Sequence, residues 1–201
     1  DNCIIQDKCD TMWDGIYIKG VTATLNVINN SLLQQAKNAV VSESGGRYFI
    51  EQSTLRNNYK DIIVKTYMGT HPGIVRSTNF TMIGSFIPAL PALPFGHSKT
   101  VCGIEIQDNA DITIGDPTLT SYQNSFNNIL VGVRSINSKT KIANSRFANM
   151  NPTPIQALFV PNAGTGVIAT GKKNVTYSAG ITIGGSGLNR CSFTNMRVAI
   201  D

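Results

Sequence analysis

Three aspartates that lie close together in the sequence are the residues best suited to bind a metal ion. Asp108, Asp111 and Asp116 fall within the run Asp-Asn-Ala-Asp-Ile-Thr-Ile-Gly-Asp. Carboxylate oxygens are ligands that Ca²⁺ prefers, and Asp and Asn are also common in polar turns. The run therefore predicts either a calcium site or a solvated turn between strands. Its spacing does not match the EF-hand loop, which requires a glycine and a distal glutamate. We expect no other cofactor.

Zinc or nucleophilic chemistry finds little support in the remaining residues. A zinc site needs three or four protein ligands, and no cysteine is spaced to join His71 and His97. A serine or cysteine nucleophile needs a paired base, and the sequence offers no such pair. We therefore expect no catalytic residue.

The four cysteines fall into two groups. Cys3 and Cys9 are close enough to close a small N-terminal loop by a disulfide, as in exported proteins, or to be half of a pairing with sequence outside this chain. Cys102 and Cys191 lie in different repeats, roughly 10 Å or more apart by strand spacing. That separation exceeds the reach of a disulfide, so we expect both thiols to be free.

Aromatic and loop residues are the candidates for contact with a ligand. The single tryptophan, Trp13, either stacks on a sugar ring or packs over the first repeat. The proline-rich segment 88–95 predicts an extended loop, whose apolar side chains either cover neighbouring strands or contact a partner. The candidate binding residues are Trp13, Tyr17, Pro91, Phe95 and His97.

The composition favours strands and turns over helices. The 201 residues include 20 Asn and only three Glu, and 14% are charged, against about 25% in a typical soluble domain. This balance excludes a helical bundle and a coiled coil. The 17 basic residues are scattered rather than clustered, so we expect no nucleic-acid partner. No apolar run approaches ~18 residues, so we expect no membrane insertion.

One theme recurs along the chain: a short apolar strand, Asn or Ser, a large apolar residue, an amide, and a second strand. The large apolar residues predict a single interior column, and they are Leu33, Leu55, Ile87, Phe126, Phe147 and Phe193. Two positions further on lies an amide in every copy but the third, which has Ala89. These amides predict a ladder along the stack, and they are Gln35, Asn57, Asn128, Asn149 and Asn195.

Strands this short cannot bury their own faces, so a period of about 22 residues predicts stacked coils with a continuous core. The second strands are expected at 39–41, 62–64, 104–106, 129–131, 157–159 and 198–200, with an earlier copy at 15–18. We predict one all-β domain over 1–201, with a capping segment at 1–12 and insertions near 67–80, 88–100 and 161–180. Because the last strand ends the chain, we expect a fragment of a larger protein, with neighbouring domains or chains at the C-terminal end.

The run 12–20, Met-Trp-Asp-Gly-Ile-Tyr-Ile-Lys-Gly, and turns such as Asn144–Asn149 carry a family resemblance. They resemble right-handed parallel β-helix proteins of the pectate-lyase-like superfamily. More narrowly, they resemble β-helix segments of large secreted or surface proteins of Bacteroidota, which type IX secretion often exports. The resemblance implies a right-handed parallel β-helix of six to seven coils, and a secreted or cell-surface location. It leaves the function open, because this fold carries lyases, hydrolases, tailspikes, adhesins and stalks.

In the lyases, the resemblance implies an acidic substrate groove on the outer face of one sheet, often with calcium and with Arg or Lys as base. Alternation along the second strands predicts the outward residues Tyr17, Val40, Ile63, Glu105, Leu130, Leu158 and Ala199. This column holds one acid, so we expect a non-catalytic module that acts as a rigid spacer or as an adhesive surface for carbohydrate or protein. The alternatives are a fragment of a polysaccharide lyase or glycoside hydrolase, and a subunit that docks into a larger secreted assembly.

Overall fold

A computed structural model describes residues 2–7, 11–67, 73–84, 86, 99–108, 112–119, 121–171, 180–184 and 190–200. Within these residues the regular structure consists of β-strands and one short α-helix. Every strand pairing described between neighbours is parallel, with register partners far apart in sequence. The all-β prediction is confirmed, and the arrangement is compatible with a parallel β-solenoid.

Two large sheets contain most of the strands. Sheet A pairs, in chain order, β1 (Ile4–Ile5), β4 (Leu32–Gln34), β7 (Thr54–Arg56), β10 (Asn79–Thr81), β13 (Asn124–Asn127), β16 (Ser145–Met150) and β19 (Ser192–Met196). Sheet B pairs β2 (Ile16–Lys19), β5 (Asn38–Glu43), β8 (Lys60–Val64), β11 (Cys102–Gln107), β14 (Val131–Ile136), β17 (Thr165–Thr170) and β20 (Val198–Ile200).

Two smaller sheets are formed by strands that follow a sheet B strand and precede a sheet A strand in the chain. Sheet C contains β3 (Thr24–Val27), β6 (Arg47–Glu51) and β9 (Ile74–Arg76), and sheet D contains β12 (Ile112–Ile114), β15 (Lys139–Ala143) and β18 (Gly180–Gly184). The chain thus passes from sheet C or D to sheet A and then to sheet B. Each strand is too short to bury a face alone, so its stability depends on the strands above and below it.

A single interior column of large apolar side chains runs through sheet A. The register pairs Leu33 with Leu55 and continues to the phenylalanines. The rings of Phe80, Phe126, Phe147 and Phe193 stack with centroid separations of 4.5, 4.7 and 5.0 Å. All column members from Leu33 to Phe147 are fully buried. The predicted column is confirmed for Leu33, Leu55, Phe126, Phe147 and Phe193.

The third member of the predicted column was wrong. Phe80, not Ile87, lies in register with Leu55 and Phe126, and Ile87 is outside the described residues. The region 67–80, predicted to be an insertion, contains β9 and the first two residues of β10. Strand β10 is only three residues long, with one apolar side chain between polar neighbours, so its sequence carries little strand signal.

A second error concerns residues 151–164. The predicted strand at 157–159 is instead part of helix α1 (Pro154–Phe159). The Thr153 side chain accepts a hydrogen bond from the Gln156 N–H, and the Gln156 side chain accepts one from the Thr153 N–H, which together form a capping box. The expected insertion at 161–180 contains β17, which pairs with β14. Part of the extra length of this repeat therefore lies between β16 and β17 and includes the helix.

The predicted amides all lie at the end of the sheet A strands, where the chain turns toward sheet B, and all have a left-handed conformation. Their φ angles lie between 50° and 58°, a region that Asn tolerates better than most residues; these residues are Gln35, Asn57, Asn128, Asn149 and Asn195. Asn195 donates to Asn149, and Asn149 donates to the Asn127 side chain, each at 2.8 Å. Asn57 and Asn128 instead hydrogen-bond the backbone of Ile83 and Met82.

The N-terminal residues do more than cover the first repeat. Ile4 and Ile5 form β1, which adds a strand to sheet A by pairing with Leu32 and Leu33. Cys3 N–H lies 3.4 Å from the Ser31 hydroxyl, next to this pairing. The proline-rich part of the predicted insertion, residues 88–98, is outside the described residues.

Asp61 is a carboxyl group buried completely inside the sheets. Its Oδ1 accepts a hydrogen bond from Asn58 Nδ2 at 2.8 Å, whereas its Oδ2 has no partner. Burial raises the pKa of Asp61 well above its ordinary value, and the Asn58 hydrogen bond only partly opposes this. The folded protein therefore holds Asp61 in its neutral form over a pH range in which the unfolded chain ionises it.

This raised pKa predicts a pH dependence that Asp61→Asn removes. Because the folded state retains the Asp61 proton above the unfolded pKa of about 3.9, stability falls as pH rises from there toward the folded pKa. Relative to the parent, we expect Asp61→Asn to gain up to ~1.4 kcal/mol per pH unit in that window. Urea unfolding of both proteins from acid to neutral pH measures the difference. A difference independent of pH would contradict the neutral Asp61.

Candidate functional site

The outer face of sheet B carries the main cluster of charged side chains in the described structure. Its central outward positions, aligned by the strand register, are Tyr17, Val41, Ile63, Glu105, Arg134 and Ile168. The predicted outward positions of Tyr17, Ile63 and Glu105 are confirmed.

Three of the other predicted members of this column were wrong. Val40 pairs in register with Ile16 and Ile62 in the core, and Leu158 lies in α1. For the last predicted member, Ala199 of β20, the side chain lies outside the described part of the structure and its outward position stays a prediction. Leu130 is buried in a second apolar cluster that also includes Val160 and Ala163 of the segment preceding β17. An apolar run that faces such a cover looks the same in sequence as one that faces the core, so β14 was placed in the wrong register.

The centre of this face is the Glu105 cluster, which consists of Lys60, Glu105, Gln107 and Arg134. Glu105 Oε2 lies 2.9 Å from Lys60 Nζ and 3.6 Å from Arg134 Nη1. Glu105 Oε1 accepts a hydrogen bond of 2.7 Å from Gln107 Nε2. The Glu105 side chain is 6% exposed, and those of Lys60 and Arg134 are 22% and 19% exposed. One carboxylate on β11 thus joins cations from the strands on either side.

The partners of Glu105 keep it ionised. Burial raises the pKa of Glu105, but the charge and hydrogen bond of Lys60, the Gln107 amide and the Arg134 charge together outweigh burial, so the net pKa is lowered. A general base works best when its pKa is close to the operating pH. Glu105 is therefore a structural anion rather than a base poised for proton abstraction at neutral pH.

Two further groups near the cluster are, unlike Glu105, held in their neutral forms. Burial raises the pKa of the Tyr59 hydroxyl, and nearby Glu105 adds to this effect while Lys60 and Arg134 oppose it. Burial raises the pKa of the Cys102 thiol to about 12, and its Sγ lies 3.4 Å from the Ile104 carbonyl oxygen. Because the thiolate is the reactive form, Cys102 is a poor nucleophile.

The three aspartates of the predicted calcium site contact different parts of the fold where they are described. Asp108 accepts hydrogen bonds from Asn137 Nδ2 at 2.7 Å and Thr66 Oγ1 at 3.3 Å. Asp116 accepts from the Thr118 hydroxyl at 2.6 Å and forms an ion pair with Arg76 at 3.4 Å. Asp111 lies outside the described residues. In the part of the chain that the structure describes, no three His, Cys, Asp or Glu residues are arranged to hold a metal ion.

The Asp116 contacts belong to a clamp on sheet C. Arg76 lies 3.0 Å from Glu51 Oε2, and its guanidinium carbon lies 4.7 Å from the centre of the Tyr122 ring. Hydrogen bonds from Thr118 lower the pKa of Asp116, with Arg76 adding to the effect. These contacts fasten the segment after β12 to the preceding strands, which is a structural role.

Two of the candidate binding residues, Trp13 and Tyr17, lie in the described part of the chain. Trp13 packs against the core, and its indole Nε1 donates to the Gln34 carbonyl oxygen at 2.8 Å, which supports the packing interpretation over sugar stacking. Tyr17 lies on β2 and is 54% exposed. The structure brings neither residue into contact with the Glu105 cluster. Pro91, Phe95 and His97 lie outside the described residues.

The cysteines follow the expectation in part. Cys102 and Cys191 are free thiols, as expected, and Cys3 is also free and exposed. Cys9 lies outside the described residues. Because Cys3 is a free thiol, the predicted Cys3–Cys9 disulfide is absent at the one cysteine of the pair that the structure describes. Cys3 instead lies beside the pairing of β1 with β4 in sheet A.

We expect Glu105→Ala to reduce the free energy of unfolding by about 2 kcal/mol, because it leaves two partly buried cations together without their anion. The lowered pKa of Glu105 means that its contribution is present above the ordinary Glu pKa of about 4.3 and is lost as pH falls through the folded pKa. Urea unfolding at neutral pH measures the loss.

Asp14→Ala is the matched control, because Asp14 pairs with Lys37 at 2.9 Å but its side chain is 74% exposed. We expect the free energy of unfolding to change by less than about 0.5 kcal/mol in this control. Equal losses would contradict the role of Glu105.

Comparisons with known proteins add no relative. No family model, no curated protein and no solved structure matches this chain. No helix in the described residues has the length and apolar character needed to cross a membrane.

Proposed function

We propose that this chain is a right-handed parallel β-helix that acts as a rigid, non-catalytic module of a secreted or surface protein. In this proposal it works as a spacer and as a surface for a carbohydrate or protein ligand. The supporting observation is that the charged groups on the outer face of sheet B are paired with one another. This is the face on which a β-helix enzyme would carry its catalytic residues. There the Glu105 carboxylate is occupied by Lys60, Arg134 and Gln107.

The same pairing of charges continues beside the cluster. Glu43 and Lys65 form an ion pair between neighbouring strands, and this hydrogen bond lowers the pKa of Glu43. Arg134 also donates to the Pro161 carbonyl oxygen at 3.1 Å. Charges that neutralise one another across strands stiffen a stack, and none of these paired groups is free to act as a base or an acid. The stacked rings of the interior column favour the same rigid role.

A polysaccharide lyase or hydrolase is the second candidate function, and one observation favours it. A Lys, a Glu and an Arg converge on the outer face of sheet B, and these are residue types that such enzymes use as base and as charge-stabilising groups. Substrate binding could displace Lys60 or Arg134 from Glu105 and free one of them to act.

Turnover assays separate the two candidates. The chain is incubated with acidic and neutral polysaccharides, and the products are followed by ultraviolet absorbance for unsaturated ends and by reducing-sugar release. We expect no turnover. Turnover that Arg134→Ala abolishes, while Asp14→Ala retains it, would overturn the non-catalytic proposal and establish the enzyme.

A further inference from the structure

A shallow furrow crosses the outer face of sheet A, a different sheet from the one that carries the Glu105 cluster. Two adjoining depressions of about 420 and 410 Å³ form it, and both are lined by Thr54 and Asn79. One extends to the corner before the strands, at Gln52 and Ser77, and the other to Arg56, Thr81, Ile83, Ser125 and Asn127. The furrow therefore follows the strand direction. From Gln52 to Arg56 alone it spans about 13 Å at ~3.3 Å per residue.

The strand register arranges the polar side chains of the furrow in two rows. Thr54, Asn79 and Ser125 are register partners in one row. Arg56, Thr81 and Asn127 are register partners in the next. Neighbours within a row are about 4.8 Å apart, and the rows are two residues, about 6.6 Å, apart. The result is a regular lattice of hydroxyl and amide groups.

These polar groups have hydrogen-bonding capacity to spare. In the described structure the side chains of Thr54, Asn79, Thr81 and Ser125 make no hydrogen bond to the protein. The outer face of sheet B is different, because there Glu105, Lys60 and Arg134 bind one another. Sheet A thus presents unpaired donors and acceptors at the furrow, whereas the groups of the Glu105 cluster on sheet B are paired with one another.

The side chains that line the furrow are mostly uncharged, which disfavours a charged ligand. Among the described lining residues there is no carboxylate that could hold a cation, and the one cation there, Arg56, donates to Gln34 Oε1 at 2.9 Å through Nε. Hydroxyl and amide groups both donate and accept hydrogen bonds. Their natural complement is a ligand with many hydroxyl groups and no net charge. Ile83, which is 60% exposed at one end of the furrow, offers an apolar contact for the C–H face of a sugar ring.

We propose that this furrow binds an uncharged oligosaccharide laid along the strands of sheet A. This inference rests on the proposed function in that it names the adhesive surface and the class of its ligand. The hydroxyl groups of the sugar would bond to Thr54, Asn79 and Ser125, and the next row would contact the neighbouring face of the chain.

Isothermal titration calorimetry with soluble cello-, xylo- and manno-oligosaccharides tests the proposal, with oligogalacturonate as the charged counterpart. The furrow variant is Thr54→Ala with Asn79→Ala, and Asn79→Ala alone is a milder second variant because Asn79 is exposed. Thr194→Ala is the matched control, because Thr194 is an exposed threonine on β19 of the same sheet outside the furrow. Circular dichroism establishes that each variant is folded.

We expect at least one neutral oligosaccharide to bind, the double variant to weaken it by about tenfold or more, and Thr194→Ala to leave it unchanged. Binding of oligogalacturonate alone, binding unaffected by the furrow variants, or no binding of any neutral sugar would each overturn the furrow. None of these results depends on turnover, so the furrow can fail while the non-catalytic module stands.

Discussion

Gly132→Ala is expected to destabilise the fold by about 3 kcal/mol, because sheet B leaves no room for a single methyl group at this position. An added Cβ would lie 2.4 Å from the Gly166 carbonyl oxygen and 2.6 Å from Cδ1 of Phe147. The first contact is with the backbone of the neighbouring strand, and the second is with a ring held in the interior column. Neither neighbour can move without separating strands that pair in parallel.

Chemical unfolding of Gly132→Ala against the parent protein measures this loss. Gly180→Ala is the matched control, because Gly180 also lies in a β-strand but, beyond its chain neighbours, no heavy atom of the described residues lies within 4 Å of the added Cβ. We expect a change of no more than about 0.5 kcal/mol for that control. A small effect of both substitutions would mean that β14 and β17 are not packed against the ring of Phe147 as described.

Phe126→Ala is expected to cost about 4 kcal/mol, the range found for truncation of buried aromatic rings. Phe126 is fully buried, and its ring stacks on Phe80 at 4.5 Å and on Phe147 at 4.7 Å. The substitution removes two ring contacts and leaves a cavity that rigid neighbouring strands cannot fill. Thermal or urea unfolding measures the loss.

Two comparisons separate this packing effect from general loss of apolar surface. Phe126→Leu places at this position the residue found at Leu55 in the same column, and we expect about half the loss of the alanine variant. Leu158→Ala removes a leucine that is 78% exposed, and we expect a change below about 0.5 kcal/mol. An equal cost for Leu158→Ala and Phe126→Ala would contradict the buried column.

The repeated large apolar residues made the interior column predictable. Leu33 and Leu55 are 22 residues apart, and each precedes an amide by two positions. The amides marked the corner between sheets A and B because a left-handed residue is needed there, and Asn meets that need at low cost. A backbone requirement of this kind is visible in the sequence wherever the same residue type recurs at the same place.

Phe80 was not predicted as a column member because its repeat lacks the amide two positions further on. Met82 takes the place of the amide two positions after Phe80, and residues 83–100 then interrupt the spacing. Helix α1 was missed although the sequence contains its signal, Thr153-Pro154-Ile155-Gln156, which matches a capping box. The regular period favoured a strand at that point, and the local signal was overlooked.

Arg134 could not be placed on the outer face because its register depends on tertiary packing. Alternation along the apolar run from Ile129 to Val131 predicts Leu130 in the outward column, but Leu130 and Val131 pack under the segment that includes Val160. Once β14 is shifted accordingly, Arg134 pairs with Glu105.

The furrow of sheet A could not be predicted from the sequence for a similar reason. Its rows join residues that are 25 and 46 positions apart and share no motif.

The register of sheet A is tested most directly by disulfide trapping between its outward positions. Asn79→Cys is combined with Ser125→Cys, its partner on the adjacent strand, in a background with Cys3→Ser and Cys9→Ser. Adjacent in-register Cα atoms are about 4.8 Å apart, within the span of a disulfide. Asn79→Cys with Arg146→Cys is the control, since Arg146 lies one strand further, at roughly 10 Å. The stacked arrangement predicts rapid oxidation of the first pair in the folded protein and none of the second. Failure of the first pair to form, or equal oxidation of both, would contradict it.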